Sequence, residues 1–168
     1  MFRRKTEEST EPYTAVYLTY SFDMDMDEMR RNHPHAKYLG TTILCGYRLA
    51  FRGQVDHYAL ATIEQSVDNS VPVVLWHIPA SYEAALDRDC KPLYRKISIN
   101  VIFQEKSIPC IAYSIYESYQ YGMPSIEYFK LLLGRYVSFK FCVRPLVQGY
   151  RESMQAHLKN EKIRLGEG

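Results

Sequence analysis

No stretch of the chain approaches the roughly 20 consecutive apolar residues that a membrane-spanning helix needs. No excess of one charge is present either: 21 Lys and Arg face 19 Asp and Glu, for a net charge of +2. That balance argues against a nucleic-acid or membrane-surface binder. The basic residues cluster only near the ends (Arg3, Arg4, Lys5; Lys159, Lys162, Arg164), where a solvated tip is the ordinary outcome. The cysteines Cys45, Cys90, Cys110 and Cys142 form no CxxC pair, which argues against zinc ligation and thioredoxin-type redox chemistry. The opening "MFRRKTEESTEP" is polar and lacks the apolar region of a signal peptide. A reduced, cytoplasmic setting is therefore expected. There is no internal repeat and no low-complexity linker.

What is present is enough apolar material for one core. The chain has 168 residues, of which 46% are hydrophobic, and this length suits a single domain. The expected boundaries are a disordered tail over 1–12, one domain over 13–160 and a second tail over 161–168. Fifteen tyrosines are many. Their half-apolar, half-polar side chains suit strands, pocket walls and interfaces.

Periodicity predicts the elements. "TAVYLTY" (14–20) alternates and is β-branched and aromatic, hence a strand. "DMDEMRRNH" (25–33) reads as a short helix closed by Pro34. Strands follow over 37–53, 57–65 and 71–78, with a turn at "SVDNS" (66–70) by composition. Ser81 is placed to cap a helix over 82–88. Residues 93–103 and 109–118 read as a hairpin about "QEKS". Ser125 is placed to cap a helix whose apolar spacing includes Ile126, Phe129, Leu132 and Leu133. A last helix is expected over about 145–160. Strands in the middle and helices at the end indicate an α+β domain with a substantially closed sheet.

The loop after the first strand carries Asp23, Asp25, Asp27 and Glu28. "DMDMDE" opens like a calcium loop, but Glu28 stands where the sharp turn needs Gly and Pro34 where a bidentate Glu is needed. Without those two residues no metal site is expected. Acids at a helix N-terminus are instead favoured by the positive end of the helix.

Six segments, in this order, resemble the γ-glutamylcyclotransferase-like family, which includes the AIG2-like proteins. Tyr20-Ser21-Phe22-Asp23 stands at the family's Tyr-Gly-Ser-Asn. "HPHAKYLGTTILCGYRLAF" (33–51), "ATI" (61–63), "VPVVLWHI" (71–78), "AALDRDCKPLYRK" (84–96) and "MPSIEYFKLLLGR" (123–135) follow. The similarity covers about residues 14–155. It implies a small mixed β-barrel with flanking helices and no metal or organic cofactor. The implied reaction is cyclisation of a γ-glutamyl amide to 5-oxoproline with release of the amine. Such chemistry needs a folded substrate held in place, a carboxylate to take the proton of the attacking ammonium, and backbone N–H groups aimed at the developing oxyanion. The implied partner is a small molecule with a γ-glutamyl or amino-acid-like group, and neither a nucleic acid nor a membrane.

The chain departs from the family at the positions that carry this chemistry. Gly-Ser-Asn is replaced by Ser21-Phe22-Asp23, and a strand Gly by Val73. The family's Glu-Gly pair falls on Cys90-Lys91 when aligned without gaps. One deletion brings Asp89 to the Glu position instead. Asp89 and Cys90 are thus the two candidates there: Asp89 as a shortened base, Cys90 as its ungapped replacement or as a thiol nucleophile. Tyr20, Ser21, Phe22 and Asp23 are the expected rim, and Tyr94, Tyr113 and Tyr128 the expected pocket tyrosines. Asp23 can only accept hydrogen bonds where Asn also donates, so it would prefer an ammonium to a carboxylate. Three outcomes stay open: a weak cyclotransferase, a catalytically silent module that binds an amine, an amino-acid-like ligand or a protein, and an unrelated acyl-transfer or thiol enzyme using Cys90.

Overall fold

The computed structural model describes residues 11–55 and 57–166, apart from the side chain of Phe22. The expected disordered segment 1–12 therefore lies almost wholly outside the described residues. Five strands make one sheet: β1 (Tyr13–Thr19), β2 (Lys37–Val55), β3 (Tyr58–Pro79), β4 (Tyr94–Phe103) and β5 (Lys106–Ile115). Four helices accompany it: α1 (Met26–Asn32), α2 (Ala80–Asp89), α3 (Ile126–Ser138) and α4 (Arg144–Arg164). The strand order is β2-β3-β1-β5-β4. β1 is central, antiparallel to β3 and parallel to β5. The alternating "TAVYLTY" thus supplies the central strand, and its C-terminal end opens into the acidic loop.

The sheet is not a closed barrel, which corrects the expected architecture. β2 and β4 are its two edges. They approach each other through side chains: the Thr42 hydroxyl donates to the Ile102 carbonyl at 2.6 Å, and the Phe103 ring packs so closely over Gly40 that a Cβ there would lie 2.9 Å from it. A seam of this kind curls the sheet without extending the backbone ladder across it.

Two further differences have local causes. The expected pair of strands over 57–65 and 71–78 is one 22-residue strand, β3. Cys45 pairs with Ser70 and Tyr47 with Gln65, so residues 66–69 bulge out opposite Gly46. The turn-like composition of "SVDNS" reports that bulge rather than a chain reversal. The β4–β5 connection is tighter than "QEKS", because Phe103 pairs with Lys106. Gln104 and Glu105 take φ of 50° and 64°, the signs that a two-residue hairpin turn requires.

Two helices begin at a side-chain cap, whereas α2 starts at Ala80 after Pro79, so Ser81 lies inside its first turn and does not cap it. Asp25 accepts from the Glu28 N–H at 2.7 Å and starts α1. Ser125 accepts from the Tyr128 N–H at 3.1 Å and starts α3. α4 lies against β2, where the Phe51 N–H donates to the buried Ser153 hydroxyl at 2.9 Å. It runs to Arg164, past residue 160 where the domain was expected to end. Leu18, Phe51, Leu75, Leu132, Tyr136 and Leu146 are among the side chains fully enclosed between the sheet and these helices. No helix among the described residues is long and apolar enough to cross a membrane.

Candidate functional site

A cavity of about 260 Å³ opens at the C-terminal end of β1. Five parts of the chain build it, β3 contributing Leu60. β1 and the turn that follows it supply Tyr17, Thr19, Tyr20, Ser21 and Asp23. The bend after α2 supplies Cys90 and Tyr94. β5 and α3 supply Tyr113 and Tyr128 from the remaining side. The turn leaving the first strand and the "DRDCK" bend therefore converge on one space.

The four acids of the loop diverge to four different partners. Asp23 accepts from the Tyr17 hydroxyl at 2.6 Å. Asp25 caps α1. Asp27 lies exposed, 3.8 Å from Arg30. Glu28 pairs with the buried Arg135 guanidinium at 2.9 Å. Arg135 also donates to the Ser21 carbonyl at 3.3 Å, so a residue of α3 fastens the rim turn from below.

The bend is closed by a hydrogen bond from the Tyr94 N–H to the Cys90 carbonyl at 2.9 Å. Cys90 and Tyr94 both line the cavity. Asp89 lies on the outer side. Its side chain is 71% exposed, is 3.3 Å from the Arg88 guanidinium, and does not line the cavity. Of the two candidates for the Glu position, the one facing the cavity is thus Cys90. Burial, together with the nearby Asp23, Asp89 and Asp87 carboxylates, pushes the Cys90 thiol up to about 11. At neutral pH it is a protonated thiol, neither a base nor an activated nucleophile.

This gives an ordering that alkylation can check. Only about one Cys90 in ten thousand is ionised at pH 7. Iodoacetamide followed by peptide mass spectrometry is expected to modify the exposed Cys45 and Cys142 at least about tenfold faster than Cys90. The Cys90 rate should then climb about tenfold per pH unit towards pH 10. Cys90 reacting first at pH 7 would revive the thiol-nucleophile reading.

The tyrosines are wired to the frame. Tyr20 donates to the Tyr113 carbonyl at 2.6 Å. Tyr113 donates to Asp87 at 2.6 Å, and Asp87 is paired with Lys96 at 3.2 Å. The Tyr113 hydroxyl and the Lys96 ammonium hold the Asp87 carboxyl below the usual carboxylate range. The Tyr128 hydroxyl accepts from the Ala61 N–H at 3.1 Å and is bonded by the Ser21 side chain. Burial raises the Tyr17, Tyr20, Tyr94, Tyr113 and Tyr128 phenols above their ordinary range, so all five are neutral.

Two contributors escaped the sequence reading. Tyr17 holds Asp23, yet its place in an alternating strand looks like packing. Arg135 falls on the buried helical face of Tyr128 and Leu132. A cation on an apolar stripe was the signal available for it. The Phe22 side chain, expected at the rim, lies outside what the structure describes.

No protein-family model matches the sequence, and no curated protein sequence matches it. Solved structures do. A γ-glutamyl cyclotransferase superposes with a TM-score of 0.71 at 23% identity, over 80% of this chain and 85% of that one. The uncharacterized protein loc79017 from Homo sapiens gives 0.69 at 24% identity, over 80% and 85%. YkqA from Bacillus subtilis gives 0.66 at 16% identity, over 83% of this chain and 54% of that one. The chain therefore has the γ-glutamylcyclotransferase-like α+β fold.

Proposed function

We propose that the cavity is a binding site for a small amine or amino-acid-like molecule, held by Asp23, and that it does not cyclise γ-glutamyl amides. One observation carries this reading: the bend presents the Cys90 thiol to the cavity while the Asp89 carboxylate lies outside. Cyclisation needs a group that takes a proton from an ammonium as it attacks. A thiol near 11 is already protonated at neutral pH. Asp23 is the one carboxylate in the described wall, and it already accepts from Tyr17. A carboxylate in that position suits an ammonium as a counter-ion.

The test is incubation with a set of γ-glutamyl amines at high protein concentration, with 5-oxoproline measured by mass spectrometry and thermal shift recorded in parallel. The expected outcome is no product above the protein-free rate, and a raised melting temperature with simple amines. Catalytic 5-oxoproline formation would overturn the reading. Asp23 in the cavity wall supports a second one, in which Asp23 itself is the proton acceptor. Product formation that disappears in Asp23→Asn and persists in Asp89→Asn would select it.

A further inference from the structure

The hydroxyl groups around the cavity are largely committed to the protein. Tyr17 donates to Asp23, Tyr20 to the Tyr113 carbonyl, Tyr113 to Asp87, and Thr19 to the Val74 carbonyl. What these residues turn to a guest is therefore ring and carbon rather than O–H. Two of the walls, the rings of Tyr17 and Tyr113, stand at 81° with centroids 5.9 Å apart. No Lys, Arg or His belongs to the described lining, and Asp23 is its one charge. A ligand carboxylate would meet an uncompensated negative charge and few donors, and burying it would be costly. An organic cation would meet a carboxylate and aromatic walls, which attract cations through the ring quadrupole.

We propose that the cavity takes an alkylammonium that carries no carboxylate, recognised by Asp23 within a tyrosine cage, rather than a zwitterionic amino acid or a γ-glutamyl group. This deepens the reading of the cavity as an amine site and rests on it. The field of Asp23 reaches across the space: it raises Tyr17 beside it, and also Tyr94 and Cys90 on the facing bend, in each case after the larger effect of burial. The volume of about 260 Å³ equals on the order of nine waters at roughly 30 Å³ each. A short alkyl chain with its ammonium fits within it.

The experiment is calorimetric titration of the full chain with n-butylammonium, with 5-aminopentanoate (the same chain ending in a carboxylate) and with 1-pentanol (an uncharged chain one carbon longer). n-Butylammonium is expected to bind at least about tenfold more tightly than either of the others. Asp23→Asn is expected to remove that advantage. Asn in that position still offers an amide oxygen to the Tyr17 hydroxyl, and the pentanol comparison on the unaltered protein tests charge recognition independently. Pentanol binding as well as n-butylammonium would overturn recognition of charge, and n-butylammonium binding unchanged by Asp23→Asn would overturn the role of Asp23. 5-Aminopentanoate binding as tightly as n-butylammonium would overturn the exclusion of carboxylates while leaving the amine site in place. Binding by none of the three would defeat both readings.

Discussion

Replacing Arg135 by Leu is expected to cost about 3 kcal/mol and to loosen the rim of the cavity. Removing one partner of a buried ion pair costs about 3–5 kcal/mol, because the other charge is left without compensation. The Arg135 side chain is 7% exposed and Glu28 is 27% exposed. Water therefore reaches the abandoned carboxylate in part, which puts the effect at the lower end of that range. In a chain of this size each kcal/mol shifts the melting temperature by about 2–4 °C, so a fall of about 6–12 °C should appear in a thermal melt. Leu fills part of the space, and the loss is therefore one of charge pairing rather than of a cavity. Glu28→Gln keeps the shape, retains an acceptor for Arg135, and should cost less. A double-mutant cycle through Arg135→Leu and Glu28→Leu should return a coupling of at least about 1 kcal/mol. Additive losses would show that the pair does not hold α1 to α3. The functional consequence follows from the second contact, the hydrogen bond to the Ser21 carbonyl. Without it the turn that carries Asp23 loses its tie to α3, and amine binding should weaken together with stability.

The sequence made the fold legible where a local rule and the global arrangement agree. Alternation in "TAVYLTY" marked the central strand. Ser125 marked a helix start, and its side chain accepts from the N–H three residues on; at the first helix Asp25 and Asp27 were both possible, and the structure caps it with Asp25. It was less legible where a compositional signal has two structural meanings. "SVDNS" has turn composition, and a four-residue bulge inside one strand satisfies the same preferences. That the sheet stays open was beyond local reading, since β2 and β4 meet through the Thr42 hydroxyl on the Ile102 carbonyl, 60 positions apart, rather than through a backbone ladder. In the site, the meeting of the rim turn and the bend was foreshadowed by the order of the segments. Which residue of the bend faces inward was not, because Asp89 and Cys90 are neighbours and a one-residue gap exchanges them. The path of the bend after α2 sets that choice, with Cys90 in the wall and Asp89 exposed, and no sequence pattern encodes it. Arg135 stood on the core face of its helix in plain view, but its partners lie 107 and 114 positions away.

The same substitution at two glycines should act with opposite sign. Gly134 and Gly149 both lie inside helices, α3 and α4. In an exposed helix interior, Gly→Ala stabilises by about 0.8–1.0 kcal/mol, since Ala loses less backbone freedom and hides more of the helix from water. At Gly134 a new Cβ would meet nothing within 4 Å, so Gly134→Ala should gain close to that amount. At Gly149 a Cβ would lie 2.9 Å from the carbonyl carbon of Leu49 and closer still to its oxygen. These are backbone atoms of β2 and cannot rotate aside. α4 would have to lift from the sheet, and lifting it would stretch the buried hydrogen bond from the Phe51 N–H to Ser153, one turn further along the same helix. Overpacking of a tight contact typically costs about 1–3 kcal/mol, and loss of a buried hydrogen bond that strands its partner costs about 1–3 kcal/mol more. Together these exceed the propensity gain, and Gly149→Ala should lose about 2 kcal/mol or more. Urea unfolding of the two variants, read at constant m, should separate them by about 3 kcal/mol. Equal stabilisation of both would show that α4 does not rest its backbone on β2. Gly149 lies away from the cavity, because the α4–β2 contact is built from residues outside its wall. Gly149→Ala, assayed well below its melting temperature, should therefore bind n-butylammonium as the unaltered protein does, whereas Arg135→Leu should not.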